Sequence, residues 1–414
     1  MAKILVHTLG SSGDFNPFMA LALELRRRGH DIHWAVGPRS AEKARALGFS
    51  ATVSGPDPDW DSEMMGRMLT AHLTEPVRIL FQEALIPAIR PAFESLEPLA
   101  CEADLLLSHT IQLAAPAVAE RTGTRWISAT AATLIYETAD YPPPGIAWRN
   151  SPRWLNRLGW EAGFKLFGHL DDLAAREYRA LGVAPRPNVI AGGAYSRRLT
   201  LGLWSPSFFP RPTDWPRWFQ VGGYARWDGG EGAAPPPSPL PQAGAGTSPP
   251  RLLFTLGSSV VNHPRGFYET ALAALGPTPW RAVLLGAPAD LPVPSALRER
   301  VEVVPFAPYA DVFPGVDAVI HQGGVGTTQA ACYYGRPSLV VPRGFDQFEN
   351  AAHIQREGWG LRLMPSDLSA RALRYRLERL LASPAIKASV EDLGAQMRAE
   401  PGVARSADLV EAAL

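Results

Sequence analysis

The sequence predicts an α/β protein built as two doubly wound, mostly parallel domains joined by a linker. Three observations predict it. Apolar strand-like runs alternate with helix-like periodicity at both ends of the 414 residues. Each half opens on a buried strand that runs into a Gly/Ser turn. Between the halves lies a stretch with too little apolar surface to fold. The length suits two or three domains at roughly 100–200 residues each. A composition of 46% hydrophobic and 19% charged residues supplies an ordinary globular core.

Residues 3–9 read as the first buried strand, followed by the turn Gly10-Ser11-Ser12-Gly13. A helix is expected to open with Asn16 as N-cap and Pro17 in its first position, and to end before Gly29. Residues 31–36 form the next strand; 105–107 and 125–128 follow, separated by a helix over 112–121. The middle differs. Eight of the twelve tryptophans fall between Trp126 and Trp227, where the one convincing helix covers 154–181. Residues 229–250 are rich in Pro, Gly and Ala, with almost no charge and no large apolar residue except Leu240, and read as a flexible linker. The alternation then restarts, with strands at 252–255, 281–285, 301–305, 317–321 and 337–341. Helices are expected at 266–275, 326–334, 346–357, 369–382 and 386–398. The domain division is therefore 1–228, linker 229–250, 251–398, and a C-terminal helix at 399–414 for which the N-terminal domain is a candidate packing surface.

Forty basic against forty acidic residues give zero net charge, which removes the physical argument for nucleic-acid binding. Cys101 and Cys332, far apart in sequence, exclude a disulfide framework and a Cys-based zinc site and fit a reducing cytosol. No apolar run approaches about 18 residues, so no transmembrane segment is expected, and the first residues lack a signal peptide's apolar core. A cytoplasmic protein is the expectation, with peripheral membrane contact left open.

The most informative segment is His321-Gln322-Gly323-Gly324-Val325-Gly326-Thr327-Thr328, which follows a strand and opens a helix. Glycines there let backbone approach a ligand, and the N–H groups of a first helical turn favour an anion. The threonine hydroxyls and the His321 ring are further donors. The segment matches neither the dinucleotide fingerprint nor the Walker pattern, which leaves little support for a hydride-transfer enzyme or an ATPase. A tight turn alone is the plainer reading of such glycines. About twenty residues later Arg343-Gly344-Phe345-Asp346-Gln347-Phe348-Glu349-Asn350 offers a carboxylate and an amide, the chemistry that grips a sugar ring; simple helix capping by Asp346 is the alternative.

Together with Phe306-Ala307-Pro308-Tyr309, these segments resemble the nucleotide-sugar glycosyltransferases of the UDP-glycosyltransferase family, family 1, of the GT-B fold, in which two Rossmann-like domains face each other across a cleft. Gly10-Ser11-Ser12-Gly13-Asp14-Phe15-Asn16-Pro17-Phe18 is similar to the acceptor-side loop of the bacterial branch. Within that branch the rhamnosyltransferases that make rhamnolipids are the most similar, including the stretch from Leu201 to Pro216. The resemblance implies a diphosphate site at His321, Gly323, Gly324, Gly326 and Thr327, with Ser258 after Gly257 approaching the same phosphates. It implies a base-binding stretch at Phe306 and Pro308 and sugar contacts at Asp346 and Gln347. Gln329 departs from the plant pattern, in which a Glu holds the ribose, and leaves the choice between a UDP- and a dTDP-sugar open.

Moving a glycosyl group to an alcohol needs a base for the acceptor proton and a counter-charge for the leaving diphosphate. Asp14, just past the first strand, is the candidate base; a turn or cap residue is the plain alternative. His109, after the strand at 105–107, is a candidate to orient Asp14 or touch the acceptor, as is Ser12. His7, inside a strand, reads as a core histidine. No cofactor and no metal are expected: Asp57-Pro58-Asp59 is a literal Asp-x-Asp string but lies in a Pro-rich loop far from the glycines. The tryptophan-rich stretch, with Phe81, Phe93, Tyr136 and Phe164, suggests a hydrophobic pocket for an apolar small-molecule acceptor: a lipid, a polyphenol or a polyketide. The rival readings are a nucleotide-sugar epimerase of the same fold and a non-catalytic nucleotide-sugar-binding subunit.

Overall fold

The computed structural model describes residues 1–9, 12–55, 63–70, 74–134, 136–144, 151–190, 193–227, 249–257 and 265–414, without the side chains of Ser12, Met65, Leu69, Thr70 and Arg265. The turn residues Gly10 and Ser11, the Asp57–Asp59 string, Ser258 and nearly all of the predicted linker lie outside the described residues. The chain divides into two compact units, Met1–Ala233 with Pro401–Leu414, and Ala234–Glu400.

The N-terminal unit holds a seven-stranded parallel sheet: β1 (Lys3–His7), β2 (Asp31–Val36), β3 (Ser50–Val53), β4 (Leu105–His109), β5 (Arg125–Thr130), β6 (Thr200–Gly202) and β7 (Phe219–Val221), in spatial order β3-β2-β1-β4-β5-β6-β7. The C-terminal unit holds a six-stranded one: β8 (Arg251–Thr255), β9 (Arg281–Leu285), β10 (Val301–Val304), β11 (Ala318–His321), β12 (Ser338–Val340) and β13 (Gly360–Arg362), ordered β10-β9-β8-β11-β12-β13. Both follow the doubly wound order of Rossmann-like folds, so chain direction across the sheet reverses once in each, between β1 and β4 and between β8 and β11. Ligands bind such sheets outside the carboxyl ends of the strands at that reversal. His7 pairs with Ser108 at the first reversal, and Thr255 with His321 at the second.

Strand periodicity sorts the core. Ile4 and Val6 of β1 face Phe15, Phe18 and Leu21, whereas Leu5 faces the opposite layer with Phe93 and Leu96. In the C-terminal unit Leu253 and Val319 pack with Phe313 and Tyr334.

Two boundaries differ from expectation. The first helix runs Ser12–Arg27, so Pro17 lies inside it rather than at its start. Proline costs an interior helix one hydrogen bond and crowds the carbonyl four residues back; here that residue is Gly13, with no side chain to add to the crowding. The consequence is functional: Asp14 sits within the first helical turn. At the other end, the predicted C-terminal helix over 399–414 starts four residues later than expected. One helix, Pro384–Ala399, stops at Glu400-Pro401-Gly402, where Gly402 takes φ +55°, and a second covers Val403–Ala413. That second helix buries Ala407 and Val410 in the N-terminal core. Arg28 Nη1 donates to Asp408 at 2.6 Å and to Glu411 at 2.7 Å, and His30 Nε2 lies 2.9 Å from Glu411. These bonds, His30 first, hold the Glu411 carboxyl below its ordinary range. A Cβ on Gly222 would fall 2.2 Å from Ser406 Oγ and one on Gly223 would fall 2.4 Å from the Gly402 carbonyl oxygen, so this glycine pair permits the close approach. Cys101 is exposed and Cys332 buried, and both are thiols. None of the described helices is long and apolar enough to cross a membrane.

Candidate active site

In the C-terminal unit, the ends of β8, β11 and β12 lie side by side. Gly257 after β8 takes φ +63° and Gly323 after β11 takes φ +91°, conformations that a side chain strongly disfavours. Most of these glycines are also required by their neighbours. A Cβ on Gly257 would come within 2.4 Å of Gln322 Nε2, one on Gly324 within 2.9 Å of the same atom, and one on Gly323 within 2.7 Å of Val340 Cγ1. Gly326 is the exception. Its φ is ordinary, and a Cβ there would meet no atom of the described residues within 4 Å. The helix Val325–Tyr333 opens at this point with Gly324 as its N-cap.

His321 is fully buried. Its Nδ1 accepts the Gly323 N–H at 3.1 Å, so the neutral ring carries its proton on Nε2. That Nε2 is buried and makes no hydrogen bond among the described residues. Burial holds the ring neutral by pushing its pKa down to about 3. The result is a fixed, uncharged donor at the reversal of the sheet. Thr327, predicted beside it, is already engaged: its hydroxyl lies 2.9 Å from that of Tyr309. Thr328 Oγ1 donates back to the Gly324 carbonyl at 2.9 Å.

Asp346 stands at the N-cap of the helix Gln347–Arg356, where its side chain makes no capping bond. Instead Asp346 Oδ2 accepts from Asn350 Nδ2 at 2.9 Å, and the same Nδ2 donates to the Gly323 carbonyl at 2.9 Å. Asn350 therefore ties the sugar-side carboxylate to the glycine turn. The four-residue spacing from Asp346 was the sequence signal for it. Gln347 is buried, and its Oε1 accepts from the backbone N–H groups of Arg343 at 2.9 Å and Gly344 at 3.3 Å, which leaves the amide nitrogen as its donor end. Phe306, beyond β10, is 77% exposed; Pro308 precedes the short helix Tyr309–Val312 and is half-buried; Gln329 is buried. Ser258 lies outside the described residues.

In the N-terminal unit the reversal brings Asp14 and His109 together. His109 Nδ1 accepts the Ile111 N–H at 3.2 Å, which places the ring proton on Nε2, 3.3 Å from Asp14 Oδ1. Alignment there is loose. Phe18 covers the imidazole with ring centroids 5.8 Å apart. The Asp14 side chain keeps 28% of its surface exposed against 5% for His109, so the carboxylate is the accessible member. Ser12 opens the same helix. His7 is only partly the satisfied core residue expected: Nδ1 donates to the Ala35 carbonyl at 2.6 Å, whereas Nε2 is buried without a hydrogen bond among the described residues.

Burial holds the His7 ring near pKa 4 and the His321 ring near 3, against an ordinary 6.5. Folded-state values this low mean that below pH 6.5 the unfolded chain binds protons that the folded one refuses. Stability is therefore complete above pH 6.5 and falls toward acid, by about 2 kcal/mol per ring at pH 5. The denaturant midpoint should drop between pH 7 and pH 5, and His7→Asn should flatten the slope by about one proton; an unchanged slope would show that His7 protonates in the native state.

The aromatic stretch is mostly core rather than pocket. Trp126, Trp160, Trp204 and Trp215 are buried, as are Phe81 and Phe93. Trp215 packs on Phe219 with centroids 4.0 Å apart and edge-on to Trp204 at 6.2 Å. Aromatic rings fill an irregular core by such tilted and edge contacts, which accounts for their density here. Tyr136 and Phe164 remain half-buried. Among the described residues no group of three or more His, Cys, Asp or Glu is placed to hold a metal ion.

Two Rossmann-ordered sheets, one carrying a carboxylate–imidazole pair and the other a glycine-lined helix start with a buried donor, define the architecture of a GT-B glycosyltransferase. Comparison with known proteins agrees. A family model described as the C-terminal domain of erythromycin biosynthesis protein CIII-like proteins matches residues 283–412. O-mycaminosyltylonolide 6-deoxyallosyltransferase of Streptomyces fradiae is 30% identical over 99% of this chain and 97% of its own. The crystal structure of CalG4, the calicheamicin glycosyltransferase, superposes with a TM-score of 0.74 at 22% identity, covering 100% of this chain and 98% of its own. VinC, in complex with dTDP, gives 0.68 at 22% identity over 100% and 99%. The chain belongs to the family 1, EryCIII-like glycosyltransferases of the GT-B fold, and it is an enzyme of that class.

Proposed function

We propose that the protein is an inverting, metal-independent glycosyltransferase that moves a sugar, rhamnose or glucose, from a UDP- or dTDP-sugar to a hydroxyl of a hydrophobic natural product. The observation that carries the donor half of this reading is the buried Nε2–H of His321, an orphaned donor beside the first turn of the Val325–Tyr333 helix. A phosphate oxygen supplies the acceptor that this group lacks, and the helix start adds partial positive charge. Among the described residues no atom lies within 4 Å of a Cβ built on Gly326, at the first turn of that helix. The S. fradiae relative, named for transferring a 6-deoxy sugar, and VinC, bound to dTDP, support a dTDP-sugar over a UDP-sugar.

For the acceptor half, Asp14 takes the proton as the acceptor oxygen attacks the anomeric carbon. The carbon–oxygen bond to the diphosphate breaks on the opposite side, and the nucleoside diphosphate leaves with the electron pair. The first helical turn favours the ionised carboxylate, and His109 Nε2–H aims it. An epimerase acts on the donor alone and needs no acceptor, which is the difference the experiment reads. The test is a panel of UDP- and dTDP-sugars offered with and without hydrophobic alcohols, with and without EDTA, and read by mass spectrometry and anomeric NMR. Glycosides of inverted configuration, formed only with an alcohol and undiminished by EDTA, are expected. Conversion of the donor without acceptor would establish the epimerase instead.

A further inference from the structure

We propose that Arg343 is the fixed cation that balances the charge of the leaving nucleoside diphosphate, a role that rests on the donor site described above. Metal-independent departure of a diphosphate needs positive charge. His321 supplies a hydrogen bond but no charge, and a helix start is equivalent to only about half a charge.

Arg343 lies just beyond β12, where Gln347 Oε1 fixes its backbone N–H at 2.9 Å. Its guanidinium carbon sits 6.0 Å from the centroid of Phe267, at the start of the helix Arg265–Leu275 that follows β8. In the sheet, β12 and β8 flank β11, two strand spacings or roughly 10 Å apart. To reach Phe267 from β12, the side chain must extend across the end of β11. That carries the guanidinium over the reversal at which Gly257, His321 and Gly323 converge.

The cation has no carboxylate partner among the described residues, and residues 258–264 between β8 and the helix contain no acid either. It is only partly exposed, and burial lowers its basicity, with Tyr268 the one opposing influence. A half-buried cation without a counter-charge costs stability, and a planar fork of N–H donors suits phosphate oxygens. A diphosphate supplies both the missing charge and the missing acceptors.

The experiment titrates UDP, dTDP, uridine and thymidine calorimetrically into the wild type, Arg343→Met and Arg343→Lys, beside the melting temperature of each ligand-free protein. The Met variant should bind the nucleoside diphosphate at least tenfold more weakly, bind the nucleoside as before, and melt no lower than the wild type, because an uncompensated cation has been removed. The Lys variant should recover part of the affinity. Diphosphate affinity within twofold of wild type in the Met variant would overturn the assignment and leave the donor site standing. A markedly lower melting point of the ligand-free Met variant would also overturn it, by giving Arg343 to the fold. Failure of the wild type to bind either diphosphate would remove the donor site itself.

Discussion

Replacing Asp14 by Asn should lower kcat roughly a thousandfold, within the range of a lost general base, while the affinity for nucleoside diphosphate stays within about twofold. The substitution is isosteric, and the amide oxygen can still receive the His109 Nε2–H that now lies 3.3 Å from Asp14 Oδ1. What the amide cannot do is take the acceptor's proton. Asp14 belongs to the N-terminal unit and the glycine turn to the C-terminal one, so a chemical defect without a donor-binding defect is the specific signature. Loss of the carboxylate's interaction with a helix start costs about 0.3–1 kcal/mol. Single-turnover kinetics with saturating donor separates the outcomes. A variant that retains full turnover would remove Asp14 from the chemistry and leave the turn residue that its position also suits.

Much of this was legible because strand and helix periods differ. The buried runs at Ile4–Val6, Leu252–Phe254 and Val319–Ile320, each followed by glycine, marked the sheets and the ends at which ligands bind. The three-residue strands β6, β7 and β13 were not legible, since so short a run carries no period; β12 is as short but lies in the longer apolar run 337–341, which was read as a strand. The start of the first helix was misplaced because Pro17 is a common first residue of a helix, whereas here it lies inside one. In the site, His321 and its glycines stood out as a motif, but the division of labour among the glycines did not. That Gly257 and Gly324 make room for the Gln322 amide, whereas a Cβ on Gly326 would meet no atom of the described residues within 4 Å, depends on contacts made in three dimensions. Spacing hinted at the Asn350–Asp346 pair, but the bond of Asn350 to the Gly323 carbonyl and the reach of Arg343 to Phe267 are visible only in three dimensions. Among the tryptophans, abundance alone does not distinguish a pocket from a core, and the contacts of Trp204 and Trp215 are what place those two in the core.

Gly326 also provides the sharpest test of where the donor's phosphates lie. With ordinary helical φ and no atom of the described residues within 4 Å of a Cβ, the position should accept a leucine in the helix. Helix propensity favours the exchange by roughly 0.5–1 kcal/mol, so Gly326→Leu should fold at least as stably as the wild type. Its side chain would fill the space over the first turn of the Val325–Tyr333 helix, which the account assigns to the diphosphate. The decisive measurement is a calorimetric titration of dTDP and UDP into the wild type and this variant, with melting temperatures as the control on folding. The account predicts at least a hundredfold loss of diphosphate affinity in a protein that melts no lower. Undiminished affinity in the folded variant would contradict it, because the phosphates would then rest somewhere other than against this helix.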